Sequence, residues 1–311
     1  MKLDDGGTIS ITWWWSKNSH DPFLLFFPGL NNSSHWPFVR QAVSLFQHRG
    51  FSVGVVDYRG VGSLAQTSQR CFGADSSYDF PAVVEAARTR MPSEALLFAV
   101  GHSMGGTCLA KYLTVAGANC PLAAAATISS PYNLSGHVAR LESSLTWRAA
   151  NLGTVTLAKL QFVAKYLMDP KSRAHLGRIK WSQLLCAMTL RGLERATVCP
   201  LNGYRDPEDY YAYAQPDVSR LADCGVPLLL LHAMDDPIIG VAELPLPQLR
   251  ALPNVRVVLT ETGGHLGYCG SEMGAKYVDE LLGGFFERVA QERRVAGGVQ
   301  TRETLALRAR L

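Results

Sequence analysis

A Gly-x-Ser-x-Gly pentapeptide stands between a strand-like run and a helix-like run of this chain. The apolar residues 95–100 precede Gly101-His102-Ser103-Met104-Gly105, and residues 106–113 after it have the apolar face of a helix. A serine at a strand-to-helix turn is held in a strained backbone conformation, which raises its hydroxyl above the sheet edge. The flanking glycines leave room for neighbouring backbone. The pattern therefore predicts a nucleophile elbow with Ser103 as the nucleophile.

Apolar runs alternate with helical patterns along most of the chain. The runs that we predict as strands are 9–15, 23–27, 51–58, 95–100, 122–129, 227–233 and 255–260. The helical patterns between them are 36–49, 77–91, 104–116 and 274–292. Such alternation is typical of an α/β fold, in which helices cover both faces of a mostly parallel sheet.

The alternation stops between Ser130 and Pro216, where helical patterns such as 154–168 and 181–196 follow one another without a strand-like run. A helical insertion between two core strands is typical of a cap over the active edge of an open sheet. We therefore predict a core of residues 1–134 and 217–292 and a helical cap insertion of residues 135–216. The alternative is a helical layer that takes no part in substrate binding.

Two later loops offer the base and the acid that a catalytic serine needs, in the order serine, acid, histidine. Asp235 and Asp236 follow the strand-like run 227–233, and His265 lies in a glycine-rich loop after the run 255–260. Two adjacent side chains cannot both face His265. We predict Asp236 as the acid that orients His265, with Asp235 as the alternative acid.

An oxyanion hole requires two backbone N–H donors close to the nucleophile. The first is predicted at Met104, which follows Ser103 and opens a helix whose N-terminus favours negative charge. The second is predicted at Leu30, because Pro28 and Gly29 form a turn directly after an early strand.

Other motifs argue against cofactor or metal chemistry. Residues 60–65 match the G-x-G-x-x-A pattern of dinucleotide-binding turns, but neither a clear helix nor a suitably spaced acid follows. The seven cysteines are scattered without the spacing of zinc ligands or of a disulfide framework. We therefore expect no cofactor, no metal and free thiols.

Charge and hydropathy limit the possible partners and location. The formal charge is +4, and five arginines against one acid in 293–311 account for it, so this segment is predicted as a basic, flexible tail. No patch of interleaved basic and aromatic residues elsewhere in the chain favours nucleic acid, and no apolar stretch approaches the 20 or so residues of a membrane span. Peripheral membrane contact stays open, as does the oligomeric state. Free thiols without a secretory signal favour an intracellular, cytoplasmic protein. The strand-like run 9–15 begins within ten residues of Met1, so we expect the full-length protein to carry a further N-terminal segment.

Taken together, the motifs resemble the AB hydrolase 4 family of α/β-hydrolases, the YheT-like group that includes acylglycerol lipases and medium-chain ester synthases. The resemblance runs along almost the whole chain. Its motifs are Asp5-Gly6-Gly7, Pro28-Gly29-Leu30, Asp57-Tyr58-Arg59-Gly60, Gly101 to Gly106, Ser130-Pro131-Tyr132-Asn133-Leu134, Glu208-Asp209-Tyr210-Tyr211, Asp235-Asp236-Pro237 and Gly263-Gly264-His265-Leu266-Gly267. One departure is Pro28, where the family usually has histidine.

This resemblance implies an α/β-hydrolase fold and a serine esterase or lipase that acts on medium- or longer-chain acyl esters through an acyl-enzyme. The alternatives are an alcohol O-acyltransferase with the same triad and a non-catalytic ligand-binding protein of the same fold. The intact order of serine, aspartate and histidine favours an enzyme.

Overall fold

Seven strands form one sheet in the computed structural model, which describes residues 1–17, 22–265, 267–269 and 272–295. The strands are β1 (Ser10–Trp14), β2 (Phe23–Phe27), β3 (Ser52–Asp57), β4 (Leu97–His102), β5 (Ala124–Ile128), β6 (Leu228–Ala233) and β7 (Val255–Thr260). Their order is β1-β3-β2-β4-β5-β6-β7. Only β1 among them pairs antiparallel, with β3, and the remaining pairs are parallel. The predicted mostly parallel sheet is confirmed.

Every residue of β2 to β6 is buried, as expected for interior parallel strands that are covered on both faces. The register aligns the carboxyl ends of the strands, because Phe27 pairs with Gly101 and Ala233 with Thr260. The loops that leave β2, β4, β6 and β7 therefore start from the same edge of the sheet.

Helices cover both faces of this sheet, as predicted. They are α1 (Pro37–His48), α2 (Phe80–Arg88), α3 (Met104–Ala116), α4 (Leu134–Leu141), α5 (Leu145–Met168), α6 (Pro170–His175), α7 (Trp181–Cys186), α8 (Leu190–Ala196), α9 (Val198–Asn202), α10 (Pro207–Ala214), α11 (Leu246–Ala251), α12 (Glu272–Val278) and a helix over 284–295. Val83 of α2, Leu109 of α3 and Leu249 of α11 pack on one face, whereas Phe46 of α1 and Phe286 pack on the other. In the described part of the chain, no helix combines the length and the apolar character that crossing a bilayer requires.

Three helical expectations need adjustment. The predicted helix 77–91 begins as a 3₁₀ turn (Ser76–Asp79), and α2 starts only at Phe80. The pattern 181–196 forms two helices, because the Thr189 side chain accepts the Gly192 N–H at 3.1 Å and caps a new start for α8. The C-terminal helix continues to residue 295, beyond the predicted start of the tail at 293. The rest of that tail, 296–311, lies outside the described residues.

The chain between β5 and β6 forms the seven helices α4 to α10, which share an apolar core of their own. Leu184, Leu193 and Leu201 are buried in it, and Cys71 and Ala74 from the loop before α2 pack against it. We call residues 134–214 the helical segment. Its core joins the sheet-covering layers at that loop.

Candidate active site

Ser103 occupies the turn from β4 into α3 with a φ of 50° and a ψ of −123°. A positive φ is costly for a residue with a side chain and persists only where the surroundings enforce it. The glycines make this turn possible, because a Cβ on Gly105 would collide with the carbonyl oxygens of Phe27 and Pro28. A Cβ on Gly101 would lie 2.5 Å from the Cα of Gly106. This is the geometry expected of a nucleophile elbow.

His265 lies between Ser103 and Asp236 and is within hydrogen-bonding distance of both. Its Nε2 is 3.0 Å from the Ser103 Oγ, and its Nδ1 is 2.9 Å from the Asp236 Oδ2. The loop after β7 turns back at Gly263 (φ 157°) and Gly264 (φ 56°), which brings the imidazole over the sheet edge. Three residues from three separate loops thus form one chain of hydrogen bonds.

Asp236 is buried, and both of its carboxylate oxygens have hydrogen-bond partners. Its Oδ1 accepts the backbone N–H groups of Ile238 at 2.7 Å and Ile239 at 2.9 Å, while its Oδ2 faces His265. Burial by itself raises the pKa of this carboxyl, but the hydrogen bond and charge of His265 and the two N–H donors hold the pKa below its usual value. The group is therefore a carboxylate, which can hold His265 with its proton on Nδ1.

Asp235 is exposed and faces the histidine loop instead of the imidazole. Its Oδ1 accepts the backbone N–H of Gly264 at 2.8 Å. Of the two neighbouring carboxylates, one thus contacts the ring of His265 and the other contacts the backbone beside it.

The loop after β2 lies directly against the nucleophile. A Cβ on Gly29 would be 3.0 Å from the Ser103 Cβ and 3.3 Å from the His102 carbonyl oxygen. Within the described ranges, the N–H groups of Leu30 and Met104 have no hydrogen-bond acceptor. Leu30 and Met104 therefore stay the predicted oxyanion donors.

A cavity of about 470 Å³ extends from these two residues to the helical segment. Its lining is predominantly apolar and includes Leu30, Met104, Phe72, Phe162, Leu190 and Leu193. The glycine-rich turn after β3 also lines it, with Gly60 at φ 65° and Gly62 at φ 60°. This turn is the one that matches a dinucleotide motif, and the next helical turn after it begins only at Ser76.

Comparison with known proteins assigns the chain to a family. The family model described as alpha/beta hydrolase fold matches residues 22–270, which include Ser103, Asp236 and His265. The chain belongs to the alpha/beta hydrolase fold family. The fold class predicted from the sequence is therefore confirmed.

Curated relatives of this chain include a phospholipase, a putative esterase and a monoacylglycerol lipase. Phospholipase ABHD3 of Mus musculus is 31% identical over 86% of this chain. The putative esterase YheT of Escherichia coli is 28% identical over 88% of this chain and 78% of its own. The monoacylglycerol lipase of Saccharomyces cerevisiae is 25% identical over 90% of this chain and 62% of its own. The chain spans 65% of the length of phospholipase ABHD3.

Solved structures agree with the architecture of this chain. The esterase PF2001 of Pyrococcus furiosus matches with a TM-score of 0.59 and 17% identity over 93% of this chain and 88% of its own. Alpha/beta hydrolase domain-containing protein 10 from mouse matches with a TM-score of 0.58 and 14% identity over 93% of this chain and 98% of its own. At these identities the likeness concerns the fold alone.

Three further histidines are buried near the candidate site. Burial, together with the charge of His265, lowers the pKa of His102 to about 3 and that of His137 to about 4. His232 packs inside β6 with its Nε2 3.0 Å from the Ile239 carbonyl oxygen. All three are therefore neutral at physiological pH.

Arg59 supports the cavity wall and was missed as a candidate from the sequence. Its guanidinium donates two hydrogen bonds to Asp79, both of 2.7 Å, and one of 2.6 Å to Asp5. The side chain is only 4% exposed, so these ion pairs hold the turn after β3 in place. Arg59 stands in the motif Asp57-Tyr58-Arg59-Gly60, but nothing in the sequence indicated that Asp79 and Asp5 are its ion-pair partners.

Glu194 is a second residue that sequence reasoning missed. It lines the cavity from α8, and its carboxyl accepts a hydrogen bond from the Tyr211 hydroxyl. Burial raises the pKa of Glu194 to about 8, although Tyr211 and the charge of Arg191 oppose this rise. The carboxyl is therefore largely protonated at neutral pH. The family motif with Tyr210 and Tyr211 is the sequence signal that leads to it.

Glu194 is expected to make the stability of the protein depend on pH. The folded chain keeps this proton up to a pKa of about 8, whereas the unfolded chain loses it near the ordinary value of 4.5. The unfolded state thus binds fewer protons between these values, so the free energy of unfolding falls as pH rises. We expect Glu194→Gln to remove this fall, which is on the order of 1.4 kcal/mol per pKa unit.

Urea unfolding of both proteins from pH 5 to pH 9 measures the effect. Glu85→Gln, at an exposed position of α2, is the matched control and should keep the parental pH dependence. Identical pH dependence in Glu194→Gln and the parent would contradict a protonated, buried carboxyl.

Proposed function

We propose that this chain is a serine ester hydrolase that acts on lipid acyl esters through an acyl-enzyme. The observation that carries the proposal is the hydrogen-bond chain from Ser103 through His265 to Asp236, with distances of 3.0 and 2.9 Å. A serine, a base and an orienting acid in this arrangement perform nucleophilic acyl transfer. The names of the relatives, phospholipase, putative esterase and monoacylglycerol lipase, support the same reaction class.

In the proposed first step, the Ser103 Oγ attacks the ester carbonyl and its proton passes to Nε2 of His265. Asp236 accepts the Nδ1–H of the resulting imidazolium and stabilises its charge. The negative charge that develops on the carbonyl oxygen is bound by the N–H groups of Leu30 and Met104. Collapse of this intermediate breaks the ester bond, and His265 gives its proton to the leaving alkoxide.

The second step releases the acyl group. His265, neutral again, takes a proton from a water molecule that attacks the acyl-enzyme, and the carboxylic acid leaves as Ser103 recovers its proton. An alcohol in place of water would yield a new ester. Hydrolysis and acyl transfer therefore share Ser103, His265 and Asp236 and differ only in the acceptor.

The cavity supports an acyl chain as the group bound beside Ser103. It begins at the proposed oxyanion donors Leu30 and Met104, holds about 470 Å³ and is lined mainly by apolar side chains. Part of this lining, such as Phe162 and Leu193, comes from α5 and α8. We therefore assign residues 135–216 as a cap on a core of residues 1–134 and 217–292.

A chain-length series tests this assignment. With p-nitrophenyl esters from acetyl to octanoyl, we expect kcat/KM to rise roughly fourfold, or about 0.8 kcal/mol, for each buried methylene until the cavity is full. The same series with the Ser103→Ala variant measures the background rate to be subtracted. A flat or falling profile would mean that the pocket at Ser103 is small and that the enzyme is a short-chain esterase.

Product analysis separates hydrolysis from acyl transfer. When octanoyl ester is turned over in buffer that contains ethanol, we expect octanoic acid as the main product, because water is in large excess over ethanol as the acceptor. A predominance of ethyl octanoate would instead assign the chain as an alcohol O-acyltransferase with the same triad.

A further inference from the structure

Helix α5 turns an apolar side outward. Leu160 and Leu167 are 63% and 62% exposed, and Met168 is 82% exposed. Leu152 and Leu157 are exposed as well, and spacings of three and seven residues bring Leu157, Leu160 and Leu167 to one face of the helix. In a globular protein the outward face of a helix normally carries polar residues, so this face is unusual.

Two residues beside α7 extend this apolar surface. Leu185 is 65% exposed and Met188 is 63% exposed. They adjoin α5 because the Lys159 ammonium donates to the carbonyl oxygens of Leu185 at 2.9 Å and Ala187 at 2.7 Å. We define the outer apolar patch as Leu152, Leu157, Leu160, Leu167, Met168, Leu185 and Met188. Contiguous exposed patches of this kind mark interaction surfaces.

Positive charge is concentrated in the same part of the chain. Residues 145–180 contain seven lysines and arginines and one acid, Asp169, a formal charge of +6 in a chain whose total is +4. Lys171, Arg178 and Lys180, which follow the C-terminal end of α5, are exposed. An apolar face bordered by basic side chains is complementary to a lipid surface with anionic headgroups.

The cavity opens beside this patch. Ala164 and Met168 line the cavity and are also exposed, whereas Ala158 and Phe162 line it from the inner side of α5. At its other end the cavity reaches Met104, next to Ser103. A lipid ester that left a surface in contact with α5 would therefore pass into the cavity without crossing bulk water.

We propose that the outer apolar patch docks on a lipid surface that carries anionic headgroups and delivers substrate to the cavity. The delivery step rests on the proposed function, whereas the docking does not. A second copy of the chain is disfavoured as the occupant of the patch. A symmetric dimer would bring two segments of charge +6 together, and like charges repel across an interface.

Vesicle sedimentation tests the docking. We expect the full chain to bind vesicles of phosphatidylcholine with 30% or so phosphatidylserine, and to bind pure phosphatidylcholine vesicles less tightly. Leu160→Glu/Leu167→Glu should weaken binding at least tenfold, because two charges would enter the apolar interface. Val115→Glu is the matched control, since Val115 is 64% exposed on α3 outside the patch, and it should bind like the parent. Equal binding by all three proteins, or no binding by the parent, overturns the proposal.

A second variant tests the charge. Lys171→Glu/Arg178→Glu/Lys180→Glu should abolish the preference for anionic vesicles, and an unchanged preference overturns this part of the proposal.

Sedimentation without vesicles tests whether a second copy of the chain covers the patch. A concentration-dependent dimer that Leu160→Glu/Leu167→Glu dissociates would assign the patch to a second copy and overturn the lipid surface.

Activity distinguishes failure of docking from failure of the proposed function. We expect the parent, Leu160→Glu/Leu167→Glu and Val115→Glu to hydrolyse a water-soluble short-chain ester equally, with Leu160→Glu/Leu167→Glu alone slow on a vesicle-embedded ester. Hydrolysis of the soluble ester without vesicle binding would overturn the docking and leave the hydrolase assignment intact. Vesicle binding without hydrolysis of any ester would support the docking and overturn the proposed function.

Discussion

Ser103→Ala is expected to lower kcat/KM for ester hydrolysis by about 10⁴-fold or more and to abolish labelling by a fluorophosphonate probe. The substitution removes the hydroxyl that lies 3.0 Å from the Nε2 of His265, so no nucleophile remains to form the acyl-enzyme. The fold should persist, because only one oxygen atom is lost and the turn at φ 50° is unaltered.

Ser129→Ala is the matched control for this experiment. Ser129 follows the neighbouring strand β5, is buried and also has a positive φ, of 49°. Its variant should keep both labelling and turnover, and thermal unfolding should show that both variants are folded. Labelling that survives in Ser103→Ala would show that another serine is the nucleophile. Vesicle or ligand binding without any turnover in the parent would favour the non-catalytic alternative.

Asp236→Asn is expected to reduce kcat by several orders of magnitude, roughly 10⁴-fold by analogy with other triads. The asparagine oxygen can still accept the N–H groups of Ile238 and Ile239, so the side chain keeps its place. Its amide nitrogen then faces Nδ1 of His265 as a donor and forces the proton of the ring onto Nε2. A histidine in this tautomer cannot accept the proton of Ser103.

Asp235→Asn is the matched control, because it changes the neighbouring carboxylate in the same way. The new amide oxygen can still accept the Gly264 N–H, now held at 2.8 Å by Asp235, so we expect a loss of less than about tenfold. Steady-state kinetics on one soluble ester gives both values. Reversed sensitivities would make Asp235 the triad acid, and two small losses would contradict an aspartate in the triad.

Much of the fold could be predicted because its signals are local. Six of the seven strands lie within predicted apolar runs, because interior parallel strands are apolar on both faces and stand out against the polar turns. The remaining strand, β4, extends past its predicted run 95–100 to His102. The elbow was equally visible, because only glycine fits at Gly101 and Gly105 when backbone approaches so closely. The pattern 181–196 forms two helices instead of one because the Thr189 side chain caps the start of α8. Hydrophobic periodicity does not detect such a contact.

Only part of the candidate site could be predicted from such local patterns. Chain order and strand ends were sufficient to predict Ser103, His265 and two neighbouring carboxylates, because parallel strands place their carboxyl ends at one edge. The sequence favoured Asp236 over Asp235, but it did not show which side chain turns toward the ring; in the folded loop, two backbone N–H donors hold the Asp236 carboxylate. A pattern of residues carries no such directional information.

The sequence by itself determined the architecture, the elbow and the set of residues from which a triad is drawn, because these depend on periodicity, residue size and chain order. Only the tertiary structure decided which groups meet across long separations. The contacts of Arg59 with Asp79, of Glu194 with Tyr211, and of the cavity with both Met104 and Met168 join parts of the chain that no local pattern relates. The outward apolar face of α5 has the same origin. Its periodicity is visible in the sequence, but which side of the helix is covered depends on the packing of the whole molecule.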